Sequence, residues 1–284
     1  MTAPVVTFLS DYGLEDGFAG ICHGVIARIC PQARVIDVTH GVARHDVRAG
    51  ALIMREALQY MPLGVHLAVV DPEVGTCRRA VALRAADGRL LVGPDNGLLS
   101  PAAQVAGGVT EAVDIDRSRF CLQPVSATFH GRDLFAPVAA HLAAGASLAR
   151  AGVPCDPGQL VSLELPLARR EDGALVAHAL YVDRFGNVAL DIVHDELIRS
   201  GLKLGHAVEL ALPSGESRLA RYVRAFADVA GDELLVYEDS SQRLAVAINR
   251  GAAASVLGLA VDDELRINPV PGREVDDELR IKPR

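Results

Sequence analysis

Val69-Val70-Asp71-Pro72-Glu73-Val74-Gly75-Thr76-Cys77-Arg78-Arg79 carries an abrupt change from apolar to charged sequence around which the rest of the chain is arranged. The apolar run from Val65 to Val70, broken only by His66, stops at a carboxylate. Asp71-Pro72 and Gly75 then turn the chain, and two arginines lead into the next apolar run. A buried strand that ends in an acid, with a cation returned to it a few residues later, is how open α/β sheets build a site beyond the carboxyl ends of their strands. The plainer reading is that Asp71 caps a strand and Arg78 is its surface ion-pair partner. The chain on either side weighs between the two.

On the amino-terminal side, Val5 to Leu9 is a short β-rich run ending in Ser10-Asp11-Tyr12-Gly13. Apolar residues then recur at Phe18, Ile21, Cys22, Val25, Ile26 and Ile29, the spacing of a helix with one buried face, and Pro31 stops it. Val35 to His40 reads as the second strand, Asp46 to Tyr60 as a second helix, and Gly64 to Val70 as the third strand. Alternation of this kind predicts a mainly parallel sheet with helices on its faces.

Downstream, the spacing predicts strands over 79–86 and 89–92 joined by a hairpin at Asp87-Gly88. Gly93-Pro94-Asp95-Asn96-Gly97 is dense in turn formers, 109–115 reads as another strand, and an Ala/Leu-rich helix runs to about Leu142. The fold class that follows is α/β. An N-terminal mainly parallel α/β sandwich-type domain spans 1–150, and a Gly/Pro-bearing linker spans 151–167. Short β runs separated by turn clusters over 168–270 predict a small antiparallel β-barrel domain. The segment Val261-Asp262-Asp263-Glu264-Leu265-Arg266-Ile267 recurs letter for letter at Val275 to Ile281. One copy reads as a closing strand and the other as part of a frayed tail over 271–284.

Of the 284 residues, 50% are hydrophobic and 23% charged, the balance of a chain that folds around a core rather than a disordered one. A formal charge of -8 argues against nucleic acid as a partner. No apolar run reaches membrane-spanning length and no leader sequence is legible, so no membrane role is expected and the cytoplasm is the expected compartment. The odd count of five cysteines, none in a C-x-x-C pair, points to reduced thiols. Cys22 and Cys30 read as small core residues, and Cys77 as part of the turn scaffold.

Three acid-bearing turns follow predicted strands: Asp11 with Asp16, Asp37 with His40, and Asp71. In a parallel sheet all three gather at one edge, together with the loop Thr128-Phe129-His130-Gly131-Arg132-Asp133. Asp11 and Asp16 suit ribose hydroxyls or an ammonium group, or the amino end of the helix that begins at Phe18. His40 and His45 read as structural hydrogen-bonding groups, and Glu73 as solvent-facing. No H-x-x-x-H, H-E-x-x-H or thiolate cluster occurs, so no metal set is expected. A P-loop, Gly-x-Gly-x-x-Gly and Gly-x-Ser-x-Gly are missing too.

The ordered set Ser10-Asp11-Tyr12-Gly13 with Asp16, Asp37-Val38-Thr39-His40, Val70-Asp71-Pro72, Gly93-Pro94-Asp95-Asn96-Gly97, Thr128 to Asp133, Asp183-Arg184-Phe185-Gly186-Asn187 and Ile248-Asn249-Arg250-Gly251 resembles the adenosyl-forming S-adenosylmethionine (SAM) hydrolases. These are also called SAM hydroxide adenosyltransferases, and they are related to fluorinase and chlorinase. Any one motif is weak, but the likeness runs to about Ile267 and the order is kept. The resemblance implies an α/β domain followed by a β-barrel. It also implies a homotrimer whose sites lie between one subunit's N-terminal domain and its neighbour's C-terminal domain. SAM would be the substrate, adenosine and L-methionine the products, and no cofactor would be needed. Asp71, Arg78 and His130 would be the catalytic, water-handling residues. By the same carry-over Asp11 would hold the ribose hydroxyls, Phe185, Asn187 and Phe226 would surround adenine, and Asp16, Asp183 and Ser241 would bind the methionine ammonium. Phe129 completes the implied substrate-binding set.

Two departures bear on the halide-using relatives. Those relatives carry small hydroxyl and aromatic residues in place of the charged triad, and an extra loop where this chain has only a short hairpin between Arg78 and Gly93. A carboxylate at the nucleophile position repels a halide, so hydrolysis is favoured over halide transfer. Gln242 and Asn249 stand where the halogenases have arginines near the methionine carboxylate. The remaining alternatives are a halide adenosyltransferase and a non-catalytic sensor of SAM or adenosine.

Overall fold

The structure is a computed structural model that describes residues 3–274. Two compact units divide at Leu163 and Glu164. The first is built from strands β1 (Val5–Ser10), β2 (Arg34–Thr39), β3 (Val65–Val69), β4 (Ala80–Ala85), β5 (Leu90–Pro94), β6 (Val109–Asp114) and β7 (Val153–Cys155). Its helices are α1 (Phe18–Ile29), α2 (Val47–Leu58), α3 (Ser100–Val105), α4 (Ala136–Ala143) and α5 (Leu148–Ala151). The strands form one sheet in the order β2-β1-β3-β5-β4-β6-β7. Pairs β1–β2, β1–β3 and β3–β5 are parallel, whereas β4 runs against both β5 and β6, and β7 against β6.

The register matters more than the order. Ser10 of β1 lies opposite Val69 of β3, and Leu9 lies opposite Thr39 of β2. The acids that follow these strands therefore emerge side by side at one edge, as the alternating pattern predicts. Every residue of β3 is buried, which is why it reads as a continuous apolar run rather than an alternating one. Its one polar member, His66, meets Thr7 of the neighbouring strand, with Nδ1 2.9 Å from Oγ1.

Helix α1 corrects the expected buried face. Ala19, Cys22, Val25 and Ile26 face the core, but Phe18 and Ile21 are 42% and 46% exposed. The apolar stripe is wider than the surface that sheet and α4 cover, so its amino-terminal side stays open. Helix α2 starts where the sequence places it, with Asp46 Oδ1 accepting from the Ala49 amide at 2.9 Å. Helix α3 is absent from the sequence reading; six residues are too short to show a period, although Pro101 at its first turn is a start signal. Part of the stretch read as a linker is ordered within the first unit, since β7 pairs with β6.

The second unit contains β8 (Arg169–Glu171), β9 (Ala174–Val182), β10 (Val188–Val193), α6 (His194–Arg199), β11 (His206–Ala211), β12 (Ser217–Tyr222), β13 (Leu234–Glu238), β14 (Arg243–Ile248), α7 (Ala253–Leu257) and β15 (Glu264–Glu274). Strands β10-β14-β13-β12-β11-β15-β9 follow one another around the sheet, and β9 pairs back onto β10, so the barrel closes, with β8 added beside β9. Closure removes open strand edges and encloses a core that includes Leu190, Val208, Val236, Val246 and Ile267. The expected α/β domain and β-barrel are thus both present. The barrel departs from strict antiparallel pairing once, at β12–β13. The first copy of the duplicated segment supplies part of β15, the closing strand; the second copy, and the tail read as frayed beyond residue 274, lie outside the described residues. Among the described residues no helix is long and apolar enough to cross a membrane.

Candidate active site

Asp71 leaves the carboxyl end of β3 at a point fixed from the side. The Asn96 amide nitrogen donates to the Val70 carbonyl at 2.9 Å. A Cβ on Gly93 would lie 2.4 Å from the Ala68 carbonyl oxygen, so only glycine lets β5 come this close to β3. Gly93-Pro94-Asp95-Asn96-Gly97 therefore does more than reverse the chain, because it latches the strand end that carries Asp71.

Arg78 returns to Asp71 with its Nε 2.9 Å from Oδ1 and 3.1 Å from Oδ2, while Nη2 bonds Oδ2. The two side chains are only 4% and 5% exposed, which rules out the surface ion pair. A two-nitrogen grip of this kind fixes geometry as well as charge. The same Nη2 stands 2.9 Å from His130 Nδ1, Nη1 lies 3.8 Å from Asp116 Oδ1, and the guanidinium sits 5.3 Å over the Phe135 ring. Arginine has no acceptor, so His130 Nδ1 must accept, and the neutral ring carries its hydrogen on Nε2. Burial and the adjacent Arg78 charge push the His130 pKa below its usual value, against the opposing pull of Asp71, Asp116 and Asp133.

Two loops are pressed together to make this contact. Gly75 has φ +81°, and a Cβ there would lie 2.4 Å from the Ala127 carbonyl oxygen. Buried Asp133 holds the second loop by accepting from Arg132 Nε at 2.6 Å, Arg132 Nη2 at 2.8 Å and the Ser126 amide at 2.8 Å. Burial alone would raise the pKa of Asp133, but these donors bring it below the usual carboxylate value. A wide π-type turn, Gly131–Phe135, then carries the chain into α4. A Cβ on Gly131 would fall 2.1 Å from the Tyr12 hydroxyl oxygen, so the missing side chain makes room for that phenol. Burial, with Cys22, Asp11 and Asp71 nearby, pushes the Tyr12 pKa well above normal.

Of the other expected residues of the first unit, Asp11 and Asp16 lie on the loop between β1 and α1, and Phe129 just before the Gly131–Phe135 turn. Phe129 is buried between the rings of Tyr12 and Phe18, at centroid distances of 5.9 and 5.0 Å. Asp11 is half-buried, and its Oδ2 accepts from the His45 amide at 3.0 Å. Asp16 is exposed and has no polar partner among the described residues. His40 is buried against Ser10, as a structural hydrogen-bonding group should be. Glu73 and Cys77 are exposed, while Cys22 sits in the core with its thiol pushed up to about 12 by burial.

The second unit holds the remaining set. Asp183 organises the turn between β9 and β10: Oδ1 accepts from the amides of Phe185 at 2.8 Å and Asn187 at 2.9 Å, and Oδ2 from the Asn187 side chain at 2.8 Å. Phe185 projects outward, 70% exposed. Phe226 packs on Tyr237 with centroids 5.0 Å apart. Burial, Asp239 and Asp183 together push the Tyr237 phenol up to about 12, so Asp183 and this aromatic pair share one electrostatic neighbourhood. Ser241 donates its amide to Asp239 Oδ1 at 2.8 Å in the β13–β14 turn. The Asn249 amide nitrogen is spent on the carbonyls of Val229 and Ala230, at 3.0 and 3.2 Å.

Three residues beside these sites were not singled out from the sequence. Asp116 follows β6 much as Asp71 follows β3, a signal that was available. Tyr12 and Tyr237 gave none, because their importance comes from packing against distant segments.

The chain matches the model of the SAM hydroxide adenosyltransferase N-terminal domain over residues 6–152 and that of the C-terminal domain over residues 177–266. It is 52% identical to a protein of Salinispora tropica named (R)-S-adenosyl-L-methionine hydrolase, over 93% of this chain and 97% of that one. A fluorinase of an Actinoplanes species is more distant, 28% identical over 88% of this chain and 93% of the fluorinase. The solved structure of an uncharacterized conserved protein from Thermotoga maritima superposes with a TM-score of 0.86 at 35% identity, covering 93% of this chain and 99% of that one.

Proposed function

This chain belongs to the SAM hydroxide adenosyltransferase family, and from that premise we propose that it hydrolyses S-adenosyl-L-methionine to adenosine and L-methionine. The observation that carries the proposal is the enclosed Asp71–Arg78–His130 constellation at the sheet edge. The sulfonium of SAM is already an excellent leaving group. What remains is to hold one water oxygen in line with the C5′–S bond and keep other waters away.

Asp71 Oδ1 retains a lone pair after accepting from Arg78 Nε, and His130 presents an N–H at Nε2. His130 therefore donates to a lone pair of the water, while Asp71 accepts one of its hydrogens. The oxygen–C5′ bond forms as the C5′–S bond breaks, the electron pair of that bond goes to sulfur, and the water proton passes to Asp71 and then to solvent. The Arg78 charge favours the developing hydroxide character. No cofactor or metal enters this step.

Asp11, with one carboxylate oxygen left over from His45, is assigned to the ribose hydroxyls. Phe129 is assigned to the wall of the substrate pocket, and the exposed carboxylate of Asp16 to the methionine ammonium, together with Asp183 and Ser241. Phe185, Asn187 and Phe226 are assigned to adenine. A homotrimer whose subunits share their sites belongs to the same proposal; the exposed apolar side chains of Leu14, Phe18 and Ile21 beside Asp11 support it as a surface a second copy would cover. A cytoplasmic setting is supported by five cysteines that are all free.

The test is turnover of SAM in oxygen-18 water. One label in the 5′-hydroxyl of adenosine is the expected product. Unlabelled adenosine overturns the mechanism, and binding without turnover, or 5′-halo-5′-deoxyadenosine as the main product with added halide, overturns the function.

A further inference from the structure

We propose that His23, Asp37 and His40 form a site for one divalent transition-metal ion of the zinc type, behind the Ser10–Gly13 turn. The sequence scatters these residues over a helix, a strand and the turn that follows it. Folding brings His23 Nε2 to 2.8 Å and His40 Nε2 to 3.1 Å from the same oxygen, Asp37 Oδ1. One donor atom from each lies within 4.8 Å of the others. Donors on a tetrahedral ion, at bond lengths of about 2.0–2.2 Å, stand roughly 3.3 Å apart, so a small opening of the cluster admits the ion.

His40 supplies the second observation. Its side chain is 2% exposed, yet among the described residues Nε2 has no hydrogen-bond partner, although Asp37 Oδ1 lies only 3.1 Å away. A buried nitrogen left in that state is costly, and coordination removes the cost. On the far side of the ring, Nδ1 lies 2.7 Å from Ser10 Oγ. Donation from Nδ1–H to that hydroxyl leaves a lone pair on Nε2 and fixes the ring plane, the usual outer-shell arrangement for a metal-binding histidine. Phe8 closes the site from below, edge-to-face with His40 at 4.6 Å.

His23 and Asp37 are 36% and 43% exposed, which gives an ion access and leaves a fourth position for water. Two imidazoles and one carboxylate suit zinc-type ions and disfavour magnesium or calcium, which prefer all-oxygen shells. Such an ion is not part of the chemistry at Asp71. It braces the turn bearing Asp11 and Tyr12, whose Gly13 amide already donates to the His40 carbonyl at 2.8 Å.

The experiment is calorimetric titration of the chelator-treated full chain with zinc chloride. One ion per chain is expected, with a rise in Tm and no binding heat for magnesium chloride. His23→Ala and Asp37→Asn should each weaken zinc binding by at least about tenfold. His194→Ala, which breaks a His–Glu238 pair, should leave it unchanged. The proposal is overturned if zinc binds without one-to-one stoichiometry, or equally well to His23→Ala and Asp37→Asn. A cobalt(II) spectrum of the wild-type chain provides an arm that needs no variant: visible bands of a tetrahedral nitrogen/oxygen site support the proposal, and their absence overturns it.

Discussion

Arg78 Nη2 stands 2.9 Å from His130 Nδ1, and this contact fixes which imidazole nitrogen carries the hydrogen. A guanidinium only donates, so the imidazole accepts on Nδ1 and turns Nε2–H outward. Protonating His130 would set an N–H against an N–H beside a positive charge. The proposed chemistry therefore needs the neutral ring, and the burial and Arg78 charge that depress its pKa keep it neutral.

Activity should accordingly persist as pH falls to the ordinary histidine range and be lost only below it, as His130 takes up a proton. In His130→Asn this acid limb of the kcat/KM profile should disappear, with kcat reduced at all pH values. An unchanged limb in that variant would assign the titration to another group.

Arg78→Lys tests the grip on Asp71. An ammonium is a point charge and cannot bond two carboxylate oxygens and His130 in one plane. We expect kcat to fall by about 10²-fold or more with a much smaller change in KM. Arg78→Met should also cost about 3–5 kcal/mol of stability, since it leaves Asp71 enclosed and unpaired. Urea unfolding measures this, and equal stability of the two variants would contradict it.

Gly75→Ala probes the contact between the loops that carry Arg78 and His130. The left-handed conformation alone costs a non-glycine residue about 1–2 kcal/mol. The added methyl must also push the Ala127 carbonyl away from 2.4 Å. Because the loops separate, kcat should drop while KM for SAM moves little. Activity equal to wild type would show that the loops tolerate separation.

Asp183→Ala removes the acceptor of three hydrogen bonds in the β9–β10 turn. With bonds to a charged group contributing about 1.5–3 kcal/mol each, KM for SAM should rise at least tenfold or so. Steady-state kinetics should show kcat affected far less, because the residues assigned to the bond-breaking step belong to the other unit. A large fall in kcat at unchanged KM would contradict the assignment.

His66 predicts an acid sensitivity of the fold itself. Burial and the Arg89 charge push its pKa down to about 4, whereas the unfolded chain has an ordinary histidine of about 6.5. Between these values the unfolded state binds more protons, so stability is full above pH 6.5 or so and declines as pH falls towards 4, by up to ~3 kcal/mol. His66→Leu should flatten that window in denaturant titrations. An equally steep decline would place the sensitivity elsewhere.

Much of this architecture was legible in advance. The fully buried β3, the Asp46 start of α2 and the turn formers around the end of β5 follow from local rules of burial, capping and backbone freedom that act within a few residues. The open amino-terminal side of the α1 stripe did not follow, because periodicity reports apolarity and not how much neighbouring surface exists to cover it. Phe18 and Ile21 look like core residues by spacing and stand open in the fold. Helix α3 was hidden by its shortness, and Asp116 by its resemblance to an ordinary strand-end acid.

Acids at the ends of parallel strands, gathered at one edge, and ordered motifs that point to the family are written in the chain itself. What those residues become depends on packing. Asp71 and His130 meet through Arg78 because the register of β1 on β3 and the glycine contact at Ala127 set distances that no local pattern encodes. The hydrogen on His130 Nε2, the burial of the ion pair and the convergence of His23, Asp37 and His40 are likewise relations between distant segments. Local sequence rules specify which backbone forms; the distances between side chains come from how finished elements pack.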